Sequence, residues 1–175
     1  MSCKSFAVIA SLLFSATLQA QMEMPKPAPE LKKLDYFTGS WSTDATMKPG
    51  PMGPGGKVSG TDHIEWMPGN FFVLIHNKFN SPMGSGTELA IMGYDSTKNV
   101  YTYAAYNSAG EHEAATGTLD GDTWTWNSQE SSMPNGTKWR YIEKVLSPSS
   151  YTIKFEMSSP DGTWVTVMEG KATKQ

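Results

Sequence analysis

The 175-residue sequence is poor in the residues that many catalytic and binding sites require. It has one cysteine, Cys3, three histidines and a single arginine, Arg140. A chain with one thiol forms no internal disulfide and offers no thiolate set for a metal ion. Its 14 Lys and Arg residues against 17 Asp and Glu residues also leave no basic surface for nucleic acid.

Long apolar runs are absent after the first residues of the chain. The run from Phe6 to Phe14 follows Lys4 and is too short to span a bilayer. A positive start followed by a short apolar run is typical of a secretory signal, and Ala20 is an acceptable cleavage position. We therefore predict a signal peptide over 1–20. The mature protein should be periplasmic or secreted, with no membrane insertion after cleavage.

Cleavage would simplify the chemistry of the chain further. It would remove Cys3 and Lys4, which leaves no thiol and makes the protein one charge more acidic than the formal −3 of the full sequence. Residues 21–30 are rich in Pro and Met and lack periodicity, which predicts a flexible leader. One domain should then extend over 31–175.

A short amphipathic segment opens this domain. Leu31, Leu34 and Phe37 recur at helical spacing, and Gly39 follows them. Trp41 comes directly afterwards and begins the first strand pattern. A Gly-x-Trp placed after a short helix and before many strands resembles the start of a lipocalin-type barrel. That resemblance implies a helix that closes one end of the barrel, with Trp41 packed beneath a cavity.

The remainder of the sequence alternates between β-rich runs and Gly, Pro, Asn, Asp or Ser turns. Predicted strands lie at 41–47, 57–67, 71–79, 87–94, 100–107, 113–119, 123–130, 137–146, 151–158 and 163–173. Short strands with hairpin-sized gaps predict an antiparallel meander, and closure would remove its edges. We therefore predict an all-β, up-and-down, lipocalin-like barrel of about ten strands rather than a sandwich.

The inner wall of this barrel should be aromatic, because rings alternate with polar residues along several predicted strands. A barrel of about ten strands is wide enough to leave a cavity. The residues predicted to line or seal it are Trp41, Trp66, Trp124, Trp126, Trp139 and Tyr141, and the predicted polar points of the wall are Thr43, Thr102 and Glu143. The same rings could instead fill the interior, which would make the protein a structural or interaction module.

A group of motifs in the middle of the sequence carries a family resemblance. These are Met92-Gly93-Tyr94-Asp95, then Lys98 and Tyr101, then Tyr106-Asn107-Ser108, and then Gly117. With the opening helix and Gly-x-Trp, they resemble the bacterial family called Domain of Unknown Function 1579 over roughly residues 28–172. The resemblance implies a lipocalin-like barrel, often exported, and no particular reaction. Asn107 stands where an acidic residue is expected.

Haem is not expected in this barrel. Related haem-binding barrels of the nitrobindin type place an iron-ligating histidine near the C-terminus. The last histidine here is His112, so the resemblance does not extend to their manner of binding haem. We predict no cofactor.

Two histidines support an alternative function. His63 and His76 lie on adjacent predicted strands, and a two-residue loop at Gly69-Asn70 would place them opposite each other. A loop at Pro68-Gly69 would make them diagonal on the same face, and a three-residue loop would separate them. Opposed residues have Cβ atoms ~5 Å apart, so a metal ion could be shared, with Glu65 as a third ligand. The alternative is a periplasmic metal-binding protein or metal-dependent enzyme.

Catalytic patterns are otherwise scarce. We find no nucleophile elbow, no phosphate loop and no paired-carboxylate motif. Glu111-His112-Glu113 is interpreted as a solvated loop beside Gly110, with a rim contact for a ligand or partner as the alternative. Asp62 with His76, or Glu65 with His63, could form an acid–base pair, but plain hydrogen bonding explains them equally well. The sequence therefore favours a binding protein for a small apolar or amphipathic molecule over an enzyme. It makes no prediction of oligomeric state.

Overall fold

The structure is a computed structural model that describes residues 25–50, 53–129, 137–159 and 161–175. The predicted signal peptide and residues 21–24 of the predicted leader lie outside the described residues. Within them, the chain forms one 3₁₀ helix, Pro29–Phe37, and ten β-strands. None of the described helical structure is long and apolar enough to cross a membrane.

Each of the ten strands corresponds to a predicted one, with ends that differ by a few residues. They are β1 (Gly39–Met47), β2 (Gly56–Trp66), β3 (Val73–Ser81), β4 (Gly84–Asp95), β5 (Val100–Asn107), β6 (His112–Asp120), β7 (Thr123–Ser128), β8 (Trp139–Ser147), β9 (Ser150–Ser158) and β10 (Trp164–Lys174). The all-β prediction is confirmed.

The sheet closes on itself into a barrel. Successive strands are hydrogen-bonded antiparallel neighbours, and β1 also pairs with β10. The closing pair runs from Trp41 opposite Lys174 to Met47 opposite Met168. Closure removes the unpaired edges that an open sheet would present to other chains. The predicted up-and-down topology is therefore confirmed.

The turn between β2 and β3 determines which side chains of these strands face inwards. Asn70 N donates to Met67 O at 3.0 Å, and Asn70 has a φ of 58°. The resulting register places His63 opposite His76, as predicted for the Gly69-Asn70 loop. Because side chains alternate between faces, Ile64 is buried inside the barrel while its neighbour His63 is exposed outside.

The 3₁₀ helix closes one end of the barrel. Its Leu31, Leu34 and Phe37 side chains are buried. The ring of Phe37 packs edge-on against Trp124 and Tyr151, with ring centroids 5.3 and 5.7 Å away. This apolar contact is the reason why a short helix with weak intrinsic stability holds its place.

Hydrogen bonds attach the same helix to strands on different sides of the barrel. The Tyr101 hydroxyl on β5 donates to the Glu30 carbonyl at 3.0 Å. The Tyr36 hydroxyl of the helix donates to the Ser150 carbonyl on β9 at 2.9 Å. The floor of the barrel is therefore fixed from two sides as well as packed.

Trp41 provides a test of this floor. Its side chain is 1 % exposed, and its indole N–H donates to the Phe37 carbonyl at 2.6 Å. Trp41→Ala should lower the free energy of unfolding by about 3–5 kcal/mol, because it leaves a large cavity and an unpaired carbonyl. Chemical denaturation measures this change.

The matched control is Trp164→Ala at the opposite end of the barrel, where the ring is 36 % exposed. The ring also contacts the Arg140 guanidinium, which lies 4.3 Å from its centroid. Its loss should lower the free energy of unfolding by about 1 kcal/mol, well below the change at Trp41. An unchanged unfolding midpoint for Trp41→Ala would contradict the placement of Trp41 in the floor.

Candidate functional site

The interior of the barrel contains a cavity of about 360 Å³. It extends from Phe37 at the helix end to Met47, Ser81 and Met83, which lie at or beside the opposite ends of their strands. Small-molecule sites in proteins usually have volumes of about 300–1,000 Å³. The barrel therefore has room for a small ligand rather than a filled interior.

Three of the predicted residues, Trp126, Trp139 and Tyr141, line this cavity. Further rings extend the wall they form. The Tyr141 ring centroid lies 4.8 Å from that of Phe155, and the Tyr103 centroid lies 5.9 Å from that of Trp126. The wall is built from β5, β7, β8 and β9, and its rings give this side of the cavity an aromatic lining.

The other three predicted residues lie outside the cavity lining and seal the floor. Trp41 packs against Tyr151 with centroids 4.9 Å apart. Trp124 stacks on the lining residue Trp126 with centroids 5.9 Å apart. Trp66 donates its indole N–H to Asp35 of the helix at 2.9 Å. Three of the six predicted residues therefore lie at the level of the cavity, and the other three lie below it, nearer the helix.

The polar points predicted for the wall are partly wrong. Thr43 and Glu143 do line the cavity. Thr102 does not, because its neighbours Tyr101 and Tyr103 face inwards and strand alternation turns Thr102 outwards.

Four carboxyl side chains reach the cavity, one from each even-numbered strand from β2 to β8. They are Asp62, Glu88, Glu113 and Glu143. Among the described residues that line the cavity there is no Lys, Arg or His. Apolar and aromatic side chains therefore make up most of the cavity wall. Its ionisable groups other than tyrosine are all carboxyls.

These carboxyls have few hydrogen-bond donors. The donors are Asn77 Nδ2 to Asp62 at 2.6 Å, the Tyr103 hydroxyl to Glu88 at 3.0 Å, and Trp126 Nε1 to Glu143 at 3.0 Å. Glu113 accepts no hydrogen bond from a described side chain. An ionised carboxylate has about four acceptor positions, so most of this capacity is unused.

Burial raises the pKa of all four carboxyls. The pKa of Glu113 and that of Glu143 each rise to about 7, with burial as the largest cause. The neighbouring charge of Glu88 adds to the rise at Glu113, and that of Asp62 adds to the rise at Glu143. The pKa values of Asp62 and Glu88 rise for the same reason and are partly offset by the hydrogen bonds they accept.

Glu88 and Glu113 were not predicted to line the cavity, although the strand pattern contained a signal. Asp62 was predicted only as a possible acid–base partner of His76, which is wrong, because Asp62 faces the cavity opposite Asn77 whereas His76 is exposed on the outer face. Asp62 lies two residues before Ile64 on the inward face of β2. Glu113 likewise lies two residues before the buried Ala115 in β6, so its assignment to a solvated loop is wrong. Position relative to the apolar face was a better guide than residue polarity.

The histidine pair lies on the outer face of the barrel, away from the cavity. His63 is opposite His76, and both side chains are exposed. His63 Nε2 is 3.9 Å from Glu65 Oε2, and both of these side chains are more than half exposed. Across the described residues, no group of three or more His, Cys, Asp or Glu side chains is placed to hold a metal ion. Metal binding by His63, His76 and Glu65 stays a prediction.

Together these features define the class of protein, a closed antiparallel lipocalin-like barrel with an acid-lined interior cavity. The chain belongs to the family described as a protein of unknown function, DUF1579, whose profile matches residues 26–174. The family resemblance seen in the sequence is therefore confirmed.

Two solved structures share the fold. Rv2717c from M. tuberculosis is 13 % identical with a TM-score of 0.58, and the match covers 86 % of this chain and 99 % of that chain. The S-type phycobiliprotein lyase CPES from Guillardia theta is 9 % identical with a TM-score of 0.56, covering 82 % and 91 % respectively. At these identities the likeness shows the fold alone. A search of curated proteins found no match.

The raised pKa values predict that the protein by itself loses stability as the pH rises. Glu113 and Glu143 have a pKa of about 7 when folded, against an ordinary value of 4.5. Between pH 4.5 and pH 7 the folded state therefore binds more protons than the unfolded state. The resulting stabilisation is present at low pH and is lost as the pH rises through 7. The free energy of unfolding should fall by on the order of 2 kcal/mol per group between about pH 5 and pH 8.

Urea denaturation at several pH values measures this slope. Glu113→Gln and Glu143→Gln should each flatten it. Glu169→Gln is the matched control, because that carboxylate is half exposed beside Lys48 on the outer face. A slope that both interior variants leave intact would contradict the assignment.

Proposed function

We propose that this protein binds a small apolar or amphipathic molecule inside its barrel. The observation that carries the proposal is the interior cavity of about 360 Å³, closed at one end by the 3₁₀ helix and lined by aromatic rings. The fold supplies only the scaffold, since barrels of this type serve many functions. The size and lining of the cavity, rather than the fold, therefore support the binding function.

The wall provides both parts of a typical ligand site. Burial of apolar surface against Trp126, Trp139 and Tyr141 would supply most of the affinity. The Thr43 hydroxyl and the interior carboxyls would orient the bound molecule through hydrogen bonds. A structural module with a filled core is less well supported, because side chains do not occupy this space.

Gly60 offers a way to fill the cavity without breaking the barrel. It lies in β2 and lines the cavity. A Cβ added there would lie 3.4 Å from the Lys78 carbonyl oxygen and 3.8 Å from Thr43 Cβ, which are tolerable contacts. Gly60→Phe should therefore place a ring in the cavity. Thr61→Phe is the matched control, because it adds the same ring to the exposed outer face of the same strand.

Fluorescence titration with dyes of different charge tests the proposal. The dyes are neutral N-phenyl-1-naphthylamine and cationic thioflavin T, so the result does not depend on one ligand charge. We expect at least one to bind at a stoichiometry near one, with binding abolished by Gly60→Phe and retained by Thr61→Phe. The proposal is overturned if no dye shows binding that Gly60→Phe removes.

We further propose that the protein is exported, with residues 1–20 as a signal peptide cleaved after Ala20. The supporting observations are Lys4 before the apolar run of 6–14 and the acceptable cleavage pattern Leu18-Gln19-Ala20. Native mass spectrometry of protein expressed with its full sequence should show a chain that begins at Gln21, together with any retained ligand. A mass that includes residues 1–20 in the exported fraction would contradict the cleavage.

A further inference from the structure

The charge of the cavity wall restricts the chemistry of its occupant. Asp62, Glu88, Glu113 and Glu143 face the same space, and the described lining residues include no cationic side chain to balance them. Buried carboxyls without a cationic side chain beside them are unfavourable in the charged form, so burial drives them towards the neutral form. A cation in the cavity would let them ionise and would gain their attraction in a poorly solvated space.

The carboxyls surround the cavity rather than converge on one point. No three of the described His, Cys, Asp and Glu side chains are close enough together to hold a metal ion. Tyr141 lines the same cavity, and its pKa is raised by burial and then by the charges of all four carboxyls. A charge distributed over an organic group fits this arrangement better than a compact metal ion does.

The aromatic wall adds a second, independent argument. Tyr103, Trp126, Tyr141 and Phe155 line the same cavity as the carboxyls, with the ring contacts given above. Ring faces attract cations, and aromatic cages of this kind are a known way to hold quaternary ammonium groups. Neither an anion nor a neutral hydrocarbon would use both the rings and the carboxyls.

We propose that the molecule held in the barrel is an organic cation, with a flat aromatic or apolar body and a protonated or quaternary nitrogen that lies among Asp62, Glu88, Glu113 and Glu143. This inference rests on the proposed binding function and specifies its ligand class. The aromatic wall holds the body, and the carboxyls select for positive charge and against negative charge.

Two matched pairs of dyes isolate the effect of charge. Thioflavin T is compared with its neutral counterpart, 2-(4-dimethylaminophenyl)-6-methylbenzothiazole, which lacks the ring N-methyl group and its charge. Neutral N-phenyl-1-naphthylamine is compared with 8-anilinonaphthalene-1-sulfonate, which adds a sulfonate to the same body. At pH 8 we expect the cation to bind about tenfold or more tightly than its neutral partner, and the sulfonate to bind about tenfold or more weakly than its own.

Variants assign this preference to the interior carboxyls. The double variant Glu113→Gln with Glu143→Gln keeps the shape of both side chains, and the amide oxygen introduced at position 143 could still accept the Trp126 N–H bond. It should reduce the preference for thioflavin T over its neutral partner to about threefold or less. Glu169→Gln removes an outer-face carboxylate and should leave the preference unchanged.

The pH dependence gives a further readout, because thioflavin T carries a permanent charge. The groups that titrate or carry charge around the cavity are the four carboxyls, Glu111 near Glu113, and tyrosines 36, 103, 141 and 151. Glu113 and Glu143 have pKa values of about 7, so they change charge between about pH 5.5 and pH 8. Affinity for thioflavin T should therefore rise across this range in the native protein and rise less in the double variant.

The outcomes separate this inference from the proposed function. Equal binding of the charged and neutral members of both pairs, with binding still removed by Gly60→Phe, would overturn the cation inference and leave the binding function standing. Preference for the cation that persists in the double variant would also overturn it, because the charge would then be recognised elsewhere. Absence of any binding sensitive to Gly60→Phe would overturn the binding function itself.

Discussion

The antiparallel pairing of β1 with β10 is the contact on which the rest of the molecule depends. It turns ten strands into a closed tube, so that every second side chain on each strand faces an enclosed interior. The two strands approach closely where Ala45 lies opposite Gly170, and a Cβ on Gly170 would overlap Ala45. Without this pairing the first and last strands would be exposed edges, and the cavity would be an open groove.

Closure also explains the electrostatic character of the cavity. A carboxyl at an inward position loses most of its contact with water once the barrel is closed, and burial is the largest cause of the raised pKa at all four interior acids. Apolar residues there would suit the empty fold better. The acids are therefore not explained by folding stability. Groups that lower stability are often retained because they serve a function, and ligand binding would account for these acids.

The sequence predicted the strands well because inside and outside residues alternate along them, and because turn residues separate them. The register of β2 and β3 is one of the two that the turn residues allowed, namely the one predicted for a Gly69-Asn70 loop, although the hydrogen-bonded turn itself is centred on Pro68-Gly69. Predictions failed where polarity was given more weight than position in the strand. Glu113 was assigned to solvent although it lies two residues before Ala115, and Thr102 was assigned to the wall although it lies between two inward tyrosines.

By itself the sequence determined the fold class, the order of the strands and the inward face of most of them, because these depend on local periodicity and turn chemistry. Only the tertiary structure decided which inward side chains meet. Trp124 and Trp126 share one face of β7, yet Trp124 packs beneath the cavity against Phe37 and Trp126 lines it. Asp62 and Glu143 are far apart in the chain, yet both line the cavity, and the charge of Asp62 adds to the raised pKa of Glu143. Height in a barrel is set by the combined register of all ten strands, which no single stretch of sequence encodes.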